Sequence, residues 1–450
     1  MVSFRFRIPC SLTPLFWRYP IFFFWVKWLL LAALIGLLVG SASAFFLVAL
    51  EWATNWREAH KWIIALLPIA GFLIGSLYHY AGKDVESGNN LLLDTIHRPS
   101  GVIPLKMAPF VLIGTITTHL FGGSAGREGT ALQLGGSIAD QFTYVLTLRP
   151  RDRRLILIAG IAAGFGSVFG TPLAGAIFGL EVFLLGRLQY AGLFPAFAAS
   201  FFADLTTRAW GVGHTHYHIP FVPPLSISHV VWAMVAGIVF GLGSVVFSSL
   251  THGISRFFKK QVAYPPFRPV LGGALVALAV LAMGTTKYIG LGIPTIVDSF
   301  SIQLPPYDFA LKILFTAVTL GAAFKGGEVT PLFFIGATMG NALSLVIPLP
   351  MGLLAGMGFV AVFAGAANTP LACTFMAMEL FGAECGPYAG IACIMAYFFS
   401  GHRGIYSSQV IGQSKHLIWS RHQGQRLAEL PHHRSKKKPT KAVSHEDASH

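Results

Sequence analysis

Glu128 and Glu328 lie where a carboxylate is costly. Each stands just after glycine and opens an apolar segment, in Gly126-Arg127-Glu128-Gly129-Thr130-Ala131-Leu132 and Gly326-Gly327-Glu328-Val329-Thr330-Pro331-Leu332. Both read G-x-E-x-T-x-L, 200 residues apart. A charged glutamate buried in such a segment loses several kcal/mol of hydration, so it must be paired, neutral or functional. The glycines permit tight turns, and the helix that follows presents unpaired N–H groups with partial positive charge. A helix start of this kind attracts an anion, either the glutamate's own carboxylate or a free ion. A carboxylate that leaves on protonation would exchange with an anion at one site. The blander alternative is a carboxylate that satisfies its local amides. A phosphate-binding loop is excluded, because no Gly-Lys-Ser/Thr follows Gly122-Gly123.

Other side chains could join these two. Arg127 and Lys325 sit beside the turns and either raise the potential at an anion entrance or are plain interfacial charges. Ser87-Gly88-Asn89-Asn90 precedes another apolar stretch; an Asn amide offers two N–H donors without formal charge, or simply caps a helix. Tyr406, after Gly401 and Gly404, either points a phenol O–H at an ion or marks a membrane interface. Glu181 and Glu379 occupy matched positions and read as structural carboxylates. His214, His216 and His218 alternate in a polar stretch without further obvious metal ligands, and Cys10, Cys373, Cys385 and Cys393 form no C-x-x-C. No Ser–His–Asp or H-E-x-x-H pattern is present, so the sequence calls for no catalytic centre, metal or cofactor.

The elements that must hold these residues are set by composition. Hydrophobic residues make up 54% of the 450 and charged residues 11%, against about 25% charged in soluble domains. That excludes a secreted soluble enzyme, a disordered chain and a disulfide scaffold. Apolar runs of whole helix length favour an all-α polytopic membrane protein over a β-barrel. Lys27 followed by an apolar run and Ser41-Ala42-Ser43-Ala44 imitates a secretory signal. The uncharged run from Trp28 continues to Leu50, however, giving 23 residues, enough to span a bilayer. Further runs occupy 62–82, 107–126, 155–180, 188–203, 209–255, 269–286, 329–378 and 385–402; of these, 209–255 and 329–378 must fold back. Runs at 129–139, 313–324 and 404–414 are too short to cross alone. With 49 glycines and 26 prolines interrupting them, these are the broken, partly spanning helices of a transporter.

Thr171-Pro172-Leu173-Ala174 with Glu181 recurs as Thr369-Pro370-Leu371-Ala372 with Glu379, offset by 198. Together with the glutamate motif at nearly the same offset, this reads as an internal duplication. The reading divides the chain into an N-terminal segment 1–27, a first repeat 28–208, a linker 209–227, a second repeat 228–415 and a basic tail 416–450. The net charge of +14 concentrates at the ends, in Arg5, Arg7, Arg18 and Lys27 and again from Lys415 through Lys441. Basic flanks stay in the cytosol, which predicts both termini inside and an even number of crossings. Lys436-Lys437-Lys438 reads as a solvated tail touching anionic lipid rather than as a nucleic-acid site.

At these residues the chain resembles the CLC family of anion channels and anion/proton exchangers. Gly126-Arg127-Glu128-Gly129 is similar to that family's segment with the gating glutamate. Phe165 through Glu181 is similar to the helices that follow it, and the Gly326-Gly327 turn before Pro331 to the second-half anion-binding segment. The resemblance covers about residues 28–415. It implies a homodimer with one pore per subunit, two inverted repeats, and tilted, partly spanning helices. Three departures matter. Asn89 stands where chloride members carry a chloride-binding serine; Val182 stands where chloride/proton exchangers carry an inner proton-transfer glutamate; Glu328-Val329-Thr330-Pro331 replaces an aliphatic–aromatic pair before Ala-Pro. Together they resemble the fluoride/proton antiporter clade. The resemblance thus implies proton-coupled fluoride export across the inner membrane of the cell, with Glu128 and Glu328 gating and coupling. Asn89, Gly126, Arg127, Gly129, Thr330 and Tyr406 would then hold the anion. A chloride channel or chloride/proton exchanger is the alternative, and a membrane scaffold or embedded enzyme the distant third. Physical chemistry agrees with fluoride: it holds its hydration shell more strongly than chloride, so a site must offer strong donors such as Asn89, Thr330 and helix N-terminal amides.

Overall fold

Prolines start the helices that matter here, and left-handed residues stop them. Pro150, Pro172 and Pro370 each open a helix, while Gly170 (φ 70°) and Asn368 (φ 60°) terminate the helices preceding the two T-P-L-A segments. Proline fits the first turn because its missing N–H has no acceptor there; Gly or Asn takes the left-handed cap that most side chains resist. The computed structural model describes residues 20–97, 101–416 and 422–430. The expectations for Arg5, Arg7, Cys10, Arg18, Lys436–Lys438 and Lys441 lie outside the described residues.

Sixteen α-helices form among the described residues, in two ordered sets of eight. The first set is α1 (Pro20–Ala59), α2 (Leu67–Ala81), α3 (Asn89–His97), α4 (Met107–Leu120), α5 (Glu128–Leu146), α6 (Pro150–Phe169), α7 (Pro172–Glu181) and α8 (Leu193–Ala209). The second is α9 (Ile227–Gln261), α10 (Phe267–Met283), α11 (Ile293–Asp298), α12 (Asp308–Gly321), α13 (Val329–Leu343), α14 (Met351–Ala367), α15 (Pro370–Phe381) and α16 (Gly386–Phe399). Each long helix has its counterpart about 200 residues on, so α5–α7 repeats as α13–α15. Two short strands, β1 (Leu184–Leu185) and β2 (Val410–Ile411), pair in parallel and tie the segment after α7 to the chain after α16.

Reciprocal contacts give the sets their relation. The Glu181 carboxylate, ending α7, accepts from the N–H groups of Leu371 (3.2 Å) and Ala372 (2.9 Å) at the start of α15. The Glu379 carboxylate, near the end of α15, accepts from Leu173 (2.9 Å) and Ala174 (2.8 Å) at the start of α7. Each helix therefore ends where the other begins, so the pair runs antiparallel about a two-fold axis and the two sets are inverted. These carboxylates neutralise the positive helix starts of the opposite half, which is the structural role their matched positions suggest. Gly126 and Gly327 repeat the reciprocity, exchanging backbone hydrogen bonds of 2.6 and 2.8 Å.

Among the described residues, three helical stretches are long and apolar enough to cross a bilayer by themselves, over Phe24–Ala59, Lys61–Ala81 and Ile227–Gln261; several others are apolar but only 10–17 residues long. At 1.5 Å per residue those shorter helices fall below the roughly 20 residues a crossing needs. The span expected from Trp28 to Leu50 is the centre of a 40-residue helix. The run 209–255 differs from the expectation of a fold-back within itself. It comprises the linker after α8 and most of one 35-residue helix, α9, started by Ser226 whose hydroxyl accepts from the His229 N–H.

Helices α13 and α14 approach so closely that a Cβ on Gly336 would lie 2.0 Å from the Gly358 carbonyl oxygen. Gly135 meets Gly160 at the same 2.0 Å between α5 and α6. Small residues at helix crossings let backbones touch where lipid provides no hydrophobic drive. Gly336→Ala is accordingly expected to force α13 away from α14 and to destabilise the protein by about 1–3 kcal/mol. A lower midpoint of thermal aggregation in detergent, followed by size exclusion, reports it; an unchanged midpoint would show that the helices separate freely.

Candidate anion site

The starts of α5 and α13, one from each half, face each other at the centre. Glu128, the first residue of α5, is fully buried. Its carboxylate accepts from the Thr330 backbone N–H at 3.1 Å and from the Thr330 hydroxyl. The negative group of the first half thus sits on the first turn of the second half's helix, where peptide N–H groups carry partial positive charge. On two sides only glycine fits against it: a Cβ on Gly126 would stand 2.6 Å from Glu128 Oε2, and one on Gly327 2.9 Å. Asn89 begins α3, and its Nδ2 lies 3.0 Å from where a Gly129 Cβ would be. The structure therefore brings Asn89, Gly126, Glu128, Gly129 and Thr330 to one place, with Gly327 opposite.

Beside this point lies a cavity of about 160 Å³, lined by Asn89, Gln133, Lys325, Glu328 and Tyr406 among others. It continues past Glu86, Ser87, Asn90, Lys325 and Glu328 into a vestibule of about 860 Å³. Lys83, Arg256, Lys259, Arg268 and Lys325 stand on the vestibule wall and outnumber its acidic residues, Glu86, Asp94 and Glu328. Glu328 is half-buried at the throat between the two spaces. No ion pair joins it to Lys325 among the described residues. Lys325 instead places its ammonium 3.9 Å over the Tyr78 ring and 3.4 Å from the Glu86 carbonyl oxygen. Arg127 lies outside the central group, its guanidinium 5.8 Å from the Phe169 ring.

The two G-x-E-x-T segments are equivalent in sequence and unlike in use. Thr330 donates to Glu128, whereas the Thr130 hydroxyl is engaged by the Thr115 hydroxyl at 2.6 Å. Glu128 crosses to the other half; Glu328 faces the cavity. Sequence reading missed Thr115, because nothing local marks it as the partner of a residue 15 positions away. It also missed Gln133, one helical turn after Gly129 on the cavity wall.

Tyr406 lies outside regular structure and is held by contacts on both sides of it. Ile405 donates to the Ala366 carbonyl at 2.9 Å; the Gln409 amide donates to Val182 (2.6 Å) and Ala367 (2.7 Å). Farther along, the buried Lys415 ammonium donates to Asn368 Oδ1 (2.5 Å), the Tyr397 carbonyl (2.7 Å) and Ser400 Oγ (2.8 Å). A lysine with all three N–H bonds used anchors this irregular segment without any carboxylate. The sequence marks Lys415 only as the last residue of the second repeat and the first of the basic residues at that end.

An inverted pair of helix sets meeting over a buried carboxylate defines a polytopic α-helical membrane protein. Residues 70–401 match the profile of the voltage-gated chloride channel family, and the chain belongs to that family. It is 58% identical to a chloride/fluoride channel protein of Pseudomonas syringae pv. tomato, over 87% of this chain and 88% of the relative. It is 27% identical to a voltage-gated ClC-type chloride channel of Salmonella typhimurium, over 84% of this chain and 97% of that one. Among solved structures it is similar to a CLC-type fluoride/proton antiporter, with 35% identity, a TM-score of 0.83, and coverage of 85% of this chain and 98% of that chain. A slow cyanobacterial chloride/proton antiporter shares the fold, with a TM-score of 0.74 at 20% identity over 84% and 96% of the two chains.

Proposed function

We propose that this protein is a proton-coupled antiporter that exports fluoride across the cytoplasmic membrane. The observation that carries the reading is the Glu128 carboxylate seated on the Thr330 N–H and hydroxyl. A free fluoride needs the same two donors, and Glu128 releases them when it takes a proton. Anion and proton then alternate at one place, which is the requirement for exchange. The similarity to a chloride/fluoride channel protein and to a fluoride/proton antiporter structure supports fluoride over chloride.

Residues 28–208 and 228–415 act as the two repeats in this reading. Side contacts support cytoplasmic termini. Lys27 pairs with Asp152 (2.7 Å), Arg154 reaches the Ile96 carbonyl (3.2 Å), Lys106 pairs with Asp84 (2.8 Å) and Arg426 with Asp94 (3.1 Å). These contacts gather the basic loops, the start of α1 and the chain after α16 on one side, which the positive-inside tendency assigns to the cytosol. The vestibule with its cations then faces the cytosol and collects fluoride there. A homodimer, implied by the family, completes the assembly.

The experiment is flux from liposomes loaded with fluoride or with chloride, recorded with an anion electrode while external pH is followed. Fluoride efflux accompanied by proton uptake, with chloride far slower, is the expected result; equal rates for the two anions would favour the chloride reading. In the same assay Asn89→Ala removes an uncharged donor beside Gly129. Fluoride flux is expected to fall about tenfold, as a lost hydrogen bond to a charged group of about 1.5–3 kcal/mol allows. Unchanged flux and unchanged preference over chloride would reduce Asn89 to a helix start.

A further inference from the structure

Buried polar side chains in folded proteins almost always find a partner. Gln133 is one for which the protein supplies none. It is 8% exposed and stands on α5, one helical turn after Gly129; its amide makes no hydrogen bond to another described residue. It lines the 160 Å³ cavity beside the contact of Glu128 with Thr330. Gly88, with a left-handed φ of 55°, makes room for it. A Cβ on Gly88 would lie 3.0 Å from Gln133 Nε2, 3.3 Å from Cδ and 3.4 Å from Oε1, so this glycine covers the face of the amide rather than either of its hydrogen-bonding ends. Asn89, the next residue, repeats the pattern. Its Oδ1 is buried without a partner, its Nδ2 lies against Gly129, and it lines the same cavity. Two neutral amides from two segments therefore interlock, Gln133 over Gly88 and Asn89 over Gly129, with their hydrogen-bonding capacity unspent.

From this juxtaposition we propose that Gln133 is a specificity-determining residue that binds fluoride together with Asn89. The proposal rests on the antiport reading above and adds a donor that the paired glutamate motifs do not contain. Whichever way an amide of this kind is turned, it brings two N–H donors and one carbonyl acceptor. The N–H groups bond the anion, and the carbonyl oxygens, which repel it, take the hydrogens of water that the fluoride brings. Fluoride gains more than chloride from such fixed donors, because its smaller radius shortens every N–H contact and electrostatic attraction rises as distance falls. Glu328 shares the cavity, so its protonated form is the one compatible with an anion there. Packing alone would be served better by an apolar side chain, which leaves no unbonded donor behind.

The test measures efflux from liposomes holding the full-length protein, over a range of fluoride and of chloride concentrations, with proton movement followed alongside. Gln133→Met keeps the length of the side chain and removes its N–H donors; Gln133→Leu replaces it if the first variant does not elute as a single species. The fluoride KM is expected to rise about tenfold, as loss of a hydrogen bond to a charged group allows, and the preference over chloride to fall with it. The number of protons carried per fluoride is expected to stay native. An unchanged KM and preference overturn the proposal. So does an equal fall for both anions, which would make Gln133 a packing residue. A changed proton ratio at native KM also overturns it, because Gln133 would then hold proton-carrying water rather than the anion. Wild-type protein with no preference for fluoride, or with no proton movement, would instead sink the antiport reading itself, so the two failures are distinct.

Discussion

Replacing Glu128 by Gln is expected to abolish proton coupling while fluoride still moves. The amide keeps the size of the carboxylate and loses both its charge and its exchangeable acidic proton. In the native protein the Thr330 N–H and hydroxyl bind that carboxylate, and a fully buried charge there gains from both donors and from the start of α13. Glutamine competes for the same donors only as a neutral group, so an anion displaces it without waiting for protonation. Proton movement in liposomes should drop to that of protein-free vesicles while the fluoride electrode still records efflux. A Gln variant that carries protons at the native ratio would remove Glu128 from the coupling step.

Glu328→Gln is expected to be as damaging by a different route. In the proposed mechanism a proton released from Glu128 needs another carrier toward the vestibule, because Val182 offers no carboxylate. Glu328 is the candidate in position: it sits at the throat between the inner cavity and the vestibule, on the same cavity wall as Tyr406 and Asn89. When protonated it would also offer an O–H donor to a passing fluoride, and when ionised it would repel one, which would tie proton and anion occupancy. The ion-pair alternative has a clear counter-test, because Lys325 sits over Tyr78 and not on Glu328. Coupled exchange should fall by about two orders of magnitude in Glu328→Gln, in the range of a lost acid–base group. Lys325→Ala should retain most of it. Full coupling in Glu328→Gln, or a collapse confined to Lys325→Ala, would reverse the assignment.

The fold was legible where chemistry repeats along the chain. G-x-E-x-T and T-P-L-A with its trailing glutamate mark α5, α7, α13 and α15 because proline, glycine and a buried carboxylate each leave few structural choices. The inversion was not legible without the family resemblance: it resides in contacts such as Glu181 to Ala372 and Glu379 to Ala174, made across about 190–205 residues of chain. The convergence of Asn89 with Gly129 is another long-range fact, set by where α3 ends up rather than by any local spacing. Length was misjudged where an uncharged run overlaps a linker, as at 209–255, since hydropathy does not register the non-helical backbone of 211–226. Thr115 and Thr130 carry the subtler lesson. Two halves with the same motif diverge in use because one threonine hydroxyl finds a partner inside its own half and the other does not.

The central claim is that fluoride and protons take turns at the start of α13. Its most direct test is uphill transport: liposomes holding wild-type protein, no initial pH difference, a clamped membrane potential and an imposed fluoride gradient. The account predicts that fluoride leaving the vesicles drives protons in against the pH gradient that develops, and that Glu128→Gln vesicles show the fluoride movement alone. Fluoride efflux from wild-type vesicles with no proton accumulation would contradict the account and make the protein a passive fluoride pathway.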